Sequence, residues 1–223
     1  MNDGTSQDAT GITLTPRDGH AFRFDPGALC LDFMLSGGPG PISHWEALYS
    51  TDDLRSWFSR TRLGLDPDGI RADEADVEEA RRMRDALWRL VHERLGRGGA
   101  EAGDLEVVNR AAARPPLIPR MTPHVEDTSE HTASAEGRDA VHAAWATPIE
   151  AAQVTSHIAR NAIDLLTGPW AERIRECEAG DCMLVFVDMS RPGKRRWCSM
   201  QRCGNRSKVR ALRTRKTADG TRS

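Results

Sequence analysis

The chain has 223 residues, 39% of them hydrophobic and 29% charged, which is a globular composition and excludes a disordered or fibrous protein. No apolar run approaches the roughly 18 residues that a membrane helix needs. The opening MNDGTSQDATGITLTP lacks the basic start and apolar core of a secretory signal, so a cytoplasmic protein is expected. Net charge is −2, but from Arg191 onward 12 basic residues stand against one acid, Asp219, while residues 1–190 hold 19 basic and 32 acidic ones.

Residues 1–16 read as a disordered polar tail, and 17–168 as a mostly helical domain with a small β element. His20–Phe24 and Ala28–Leu35 are short β-type or apolar stretches split by Asp25-Pro-Gly27, and Ser36–Pro41 is a glycine- and proline-rich loop. Ser50, with Asp53 three residues on, opens a helix to about Arg60 that carries Leu54, Trp57 and Phe58 on one face. The clearest helix runs from Asp73 to Leu95: Val77, Ala80, Met83, Leu87, Leu90, Val91 and Leu95 recur at helical spacing, acids lead, and Gly96 ends it. Asp104 caps a short helix ending before Pro115-Pro116, and residues 117–146 read as irregular strands. Thr147-Pro-Ile-Glu150 has the form of a capping box with proline at the first helical position. The helix it opens buries Ala151, Val154, Ile158, Ala162 and Leu165, and stops at Gly168-Pro169. Residues 1–168 are expected to fold alone and to supply self-association.

Residues 170–216 are a different object, and 217–223 a second tail. Four of the five cysteines, Cys177, Cys182, Cys198 and Cys203, form C-x4-C-x15-C-x4-C. In a reducing compartment disulfides do not persist, and an odd cysteine argues further against a disulfide framework. Two close thiolate pairs returned to one point by a spacer suit tetrahedral Zn(II), and four thiolates leave no open position, so the spacing points to one structural zinc ion per chain. Met183–Val187 reads as a strand between the pairs, Arg191–Lys194 as a turn, and Arg195–Cys198 as a returning second strand. After Cys203 no breaker interrupts a helix on which Arg206, Arg210 and Arg213 share one side. The fold class expected is α+β, mostly α: a helical N-terminal domain followed by a small ββα-like zinc finger.

These residues resemble a known pattern. Arg195-Arg-Trp-Cys-Ser-Met200, then Cys203-Gly-Asn-Arg206 and Lys208, resembles the CGNR zinc finger named for those four residues, and Cys177-x4-Cys182 with the strand Leu184–Asp188 fits it too. Ala28-Leu-Cys-Leu-Asp-Phe33 resembles the opening motif of the ABATE domain, the α-rich partner of that finger in stress-induced transcription regulators. Met34-Leu-Ser36 departs from the Val-Asn-Thr more usual there, so a role for that asparagine has no counterpart here. The resemblance spans about residues 20–216. It implies that the four paired cysteines bind zinc and that the basic tract contacts DNA in a transcription regulator of a bacterial, stress-response type.

Individual residues keep two readings. Arg195, Arg196, Arg206, Lys208, Arg210 and Arg213 either contact phosphates, which carry no sequence information, or solubilise the module. Trp197 packs a small core or stacks on a base. Asn205 reads a base edge or caps a turn. Cys30, apolar on both sides, is expected to be a buried inert thiol. Asp32 is a hydrogen-bond hub or lines an effector pocket. The function expected is a DNA-binding regulator acting on duplex DNA, dimeric through its N-terminal domain or helped by a second partner. An RNA-binding or protein-docking zinc module on an acidic, ligand-sensing domain is the alternative. No catalytic motif is present, so an enzyme is not expected.

Overall fold

The computed structural model describes residues 11–15, 19–123 and 141–210. Two short strands, β1 (Ile12–Leu14) and β2 (Phe22–Phe24), pair antiparallel. The tail expected over 1–16 therefore ends earlier, because Ile12 and Leu14 are buried beside Phe24. Helix α1 (Leu29–Met34) follows, where a β-type stretch was one expectation. All six of its residues are buried, so it has no polar face to betray a helical period.

Helix α2 (Thr51–Ser59) is capped by Ser50, whose side chain accepts from the Asp53 N–H, and buries Leu54, Trp57 and Phe58. A two-residue strand, β3 (Ile70–Arg71), precedes α3 (Glu74–Arg94), which opens on a reciprocal Asp73–Asp76 capping box. Helix α4 (Asp104–Ala113) has Gly103 at its cap. Asp104 stands inside the first turn, buried and gripped by Arg89 at 2.6 Å. Strands β4 (Pro119–Pro123) and β5 (Val141–Trp145) form an antiparallel ribbon; residues 124–140 lie outside the description. Strand β6 (Ile149–Glu150) pairs parallel with β3, and α5 (Ala151–Thr167) then begins.

That ladder corrects the expected capping box at Thr147–Glu150. Ile149 and Glu150 stay extended to pair with Ile70 and Arg71, so the cap moves on. Glu150 takes it, reciprocated by Gln153. Helices α1, α3, α4 and α5 pack into a bundle, with α2 against α3. No helix among the described residues is long and apolar enough to cross a membrane.

The finger begins with β7 (Ile174–Glu176), antiparallel to β8 (Val185–Val187). The second strand of the finger is thus upstream of Cys177, and Arg195–Cys198 is not a strand. It is held by single bonds instead: the Arg195 N–H donates to Asp188 Oδ2 at 2.8 Å, and the Arg196 carbonyl accepts from the Glu178 N–H at 2.9 Å. Residues 170 onward change architecture but do not break the packing. The buried side chains of bundle and finger form one contiguous core. The Val187 N–H donates to the Pro26 carbonyl at 2.8 Å, and Met183–Val185 line one small gap at the joint together with Leu31, Met34, Trp88 and His92. Arg94–Glu172 at 2.6 Å and Arg97–Glu176 at 2.9 Å fasten its edge.

His92 makes that joint sensitive to acid. Its ring is buried and stacked on Trp88 at 3.7 Å, Nδ1 meets the Trp88 carbonyl at 2.8 Å, and Nε2 has no partner among the described residues. Desolvation holds it below the ordinary imidazole range, against smaller opposing effects from Trp88 and Glu176. A folded pKa below the unfolded one means that the unfolded chain takes up the proton first. Stability contributed by neutral His92 is therefore present above about pH 6.5 and lost as pH falls below it. His157, also lowered by burial, contributes in the same sense. His92→Phe should flatten the decline in denaturant midpoint between neutral and mildly acid pH; an unchanged profile would contradict the assignment.

Candidate metal centre and nucleic-acid interface

The two cysteine pairs come from different local devices. Cys177 and Cys182 sit at the tip of the β7–β8 hairpin, where the Cys177 N–H donates to the Leu184 carbonyl and the Cys182 N–H to the Ala179 carbonyl, both at 2.9 Å. Cys198 and Cys203 straddle the start of a helical segment that is wound wide, as a π-helical turn, over Met200–Gly204 and continues as α-helix through 205–210. All four Sγ atoms lie within 4.8 Å of one another, with Cys182–Cys198 at 3.7 Å and Cys198–Cys203 at 3.4 Å. A tetrahedron with Zn–S of about 2.3 Å has S···S edges of about 3.8 Å, so the donor set fits the ion. Disulfide geometry, at about 2.05 Å, does not.

The electrostatics call for a cation. Hydrogen bonds from Cys182 and Cys198 push the Cys177 thiol down to about 2. The same contact with Cys177 pushes Cys182 up to about 12 and raises Cys198 as well. Four sulfurs this close cannot all ionise unaided, and a divalent ion relieves the repulsion. The four cysteines form a structural site for one zinc ion, with no position left for a reacting water. Cys30 is elsewhere: burial pushes its thiol up to about 12, and Asn161 Oδ1 accepts its N–H at 3.0 Å.

The residues after Cys203 serve the metal site directly. A Cβ on Gly204 would lie 2.9 Å from Met200 Sδ and 3.2 Å from Trp197 Cδ1, so a larger residue there would displace the flexible Met200 side chain and press on Trp197. Asn205 donates from Nδ2 to the Gln201 carbonyl at 3.1 Å, one helical turn back, and is exposed. Arg206 donates to Cys203 Sγ at 3.2 Å and to Asp181 Oδ2 at 3.1 Å, tying the second pair to the loop of the first. Trp197 packs against the core, with Arg196 5.0 Å above its ring.

Not every arginine of the basic tract faces outward. Arg195 turns in, its guanidinium 4.2 Å over the Phe186 ring and its Nε donating to the Trp197 carbonyl at 3.0 Å. Nor is the tract free of acids, as its own sequence implies. Glu178 pairs with Arg196 at 2.5 Å, and Asp181 with Arg210 at 3.0 Å. Both acids come from the Cys177–Cys182 loop, which only the metal fold brings near. Arg196, Asn205, Lys208 and Arg210 are exposed; Arg213 lies outside the described residues. Between the helical segment and strand β2 runs a groove of about 870 Å³, lined by Phe22, Arg23, Arg202, Asn205, Arg206 and Arg210 among others, with no carboxylate residue among the described residues of its lining. Arg202 stacks 4.4 Å over Phe22, which locks the hairpin to the finger.

Two further acids are fully buried, and of these Asp188 carries no signal in the sequence. Asp188, fully buried, accepts from the Ser190 and Arg195 N–H groups at 2.9 and 2.8 Å. Burial would raise it, but these bonds hold it below the usual carboxylate range, and they shape the turn that leads to Cys198. Asp32 is also fully buried. Arg62 Nε reaches its Oδ2 at 2.6 Å and the same guanidinium spans to Asp25 at 2.9 Å, which makes Asp32 the hub of its two readings. Burial still leaves its pKa raised.

Comparison with protein-family models assigns residues 27–169 to ABATE, described as a putative stress-induced transcription regulator, and residues 173–216 to the CGNR zinc finger. No curated protein matches the chain. With one model covering more than half its length and the second its metal centre, the chain belongs to the ABATE family of regulators and carries a CGNR zinc finger.

Proposed function

We propose that the protein is a non-catalytic, cytoplasmic regulator that docks its zinc-anchored finger on duplex DNA. The observation that carries this reading is the arginine-lined groove beside the metal centre, whose wall is the helical segment that carries Cys203. Zinc fixes that segment, and Arg202, Arg206 and Arg210 lie along it at helical spacing, so cations are presented in a fixed array before any phosphate arrives. Phosphate contacts of this kind set affinity and position and make binding salt-dependent. One finger is small for a specific interface, so the reading includes self-association through the helical body.

Replacing Arg196, Lys208 and Arg210 together with alanine should flatten the log–log salt dependence of duplex binding by about two to three units, at about −0.9 per phosphate contact. Arg206 is spared because it holds Cys203 and Asp181, so zinc content should not change. Asp181→Asn should act in the opposite direction and tighten binding, since it removes a carboxylate beside the contacting cations. Wild-type affinity and slope in the triple variant would mean that these three cations are only a solvated surface.

A further inference from the structure

A second recess, of about 320 Å³, opens where the bundle meets β8, and its chemistry is opposite to that of the basic groove. Leu29, Leu165 and Val187 give it an apolar floor. Trp170 and Met189 stand at its mouth, 46% and 64% exposed, where large apolar side chains are normally covered. Among the described residues of its lining the one cation is Arg62, already paired with two carboxylates, Asp32 at 2.6 Å and Asp25 at 2.9 Å. Asp164, one turn before the end of α5, also lines the recess and enters no ion pair among the described residues. Asp164 thus adds a carboxylate to a recess whose guanidinium is already paired, which tips the site toward negative charge.

We propose that this recess binds a small organic cation with an apolar or aromatic body. An ammonium group placed near Asp164 and over the Trp170 ring gains from both the carboxylate and the negative face of the indole, while its body covers Leu165, Val187 and Met189. An anion gains neither, since Arg62 is already neutralised. The volume lies at the low end of ligand pockets and suits a body of about one aromatic ring. The position adds a consequence. Val187 and Met189 flank Asp188, whose carboxylate holds the Arg195 N–H on the way to Cys198, so a bound cation bridges α5 to the strand that leads into the metal site.

The test is calorimetric titration of the full-length zinc-loaded protein with benzyltrimethylammonium, and with phenylmethanesulfonate as the anion built on the same ring. The cation should bind and the anion should not. Asp164→Asn and Trp170→Ala, both at exposed positions, should each weaken binding about tenfold, while Glu78→Gln, a remote exposed acid on α3, should leave it unchanged. Melting curves that match wild type confirm that the variants are folded. Absence of cation binding at millimolar concentration, equal binding of cation and anion, or wild-type affinity in both pocket variants would each overturn the proposal.

Discussion

Cys198→Ser should abolish zinc binding and lower the melting temperature of the entire chain, not of the finger alone. Cys198 is buried, its sulfur lies 3.4 Å from Cys203 and 3.7 Å from Cys182, and its N–H donates to Cys177 Sγ at 3.4 Å, so no partial site survives its loss. Structural zinc contributes folding free energy outright in modules of this size. The finger that unfolds takes with it Leu184, Val185, Phe186 and Val187, all buried in the shared core, each worth about 1.5–3 kcal/mol when fully covered. It also uncovers Leu31, Met34 and Trp88. Even part of that loss, at about 2–4 °C per kcal/mol for a chain of this length, displaces the helical melting transition by roughly 10 °C or more. Elemental analysis and the far-ultraviolet melt of the variant, with wild type in chelator as its companion, read both effects. A zinc-free variant that melts with wild type would mean that bundle and finger are independent after all, as the sequence alone leads one to expect.

Glu46→Ala should be the most damaging single substitution away from the metal. Arg84 comes off the bundle-facing side of α3 with its side chain 2% exposed, and three groups receive it: Glu46 Oε1 at 2.8 Å, Asp85 Oδ1 at 2.9 Å and the Ser36 carbonyl at 3.4 Å. Burial would raise Glu46, but hydrogen bonds from Arg84 and the Leu48 N–H hold it below the usual carboxylate range. The loop that presents it is built for the purpose. Gly37 has φ of +130°, and a Cβ there would lie 2.7 Å from Glu46 Cα, so the two strands of loop approach only because Gly37 has no side chain. Removing Glu46 leaves a buried guanidinium with one carboxylate at its edge, which costs about 3–5 kcal/mol. Glu46→Gln keeps the shape and one acceptor and should cost less. Denaturant midpoints of the two variants check the order; a wild-type midpoint for Glu46→Ala would contradict the account of Arg84.

The parts of this fold that sequence exposes are those with a period or a spacing. Helix α3 is legible because one stripe of Val77, Ala80, Met83, Leu87 and Val91 faces the core while its other side is charged. The metal site is legible because thiolate pairs have few uses in a reducing setting. Helix α1 is hidden for the opposite reason: buried all round, it has no stripe. The Thr147–Glu150 signal is a sound capping box overridden by a ladder to a segment almost 80 residues away. The basic tract reads as unopposed because its counter-charges, Glu178 and Asp181, come from the other half of the metal site. Arg195 shows the same limit, since nothing local says that Phe186 lies beneath it. In each case a tertiary contact outranks a local pattern.

One zinc ion holds bundle and finger as one continuous structure, with the basic groove at one end and the bundle at the other. Amide hydrogen exchange, followed before and after zinc is removed by a chelator, tests this continuity most directly. Protection should fall not only over β7, β8 and 198–210 but also in α1 and around Trp88 and His92 of α3, which line one gap with Met183–Val185, and zinc should restore both together. Loss of protection confined to residues 173–210, with α1 and α3 unchanged, would contradict it.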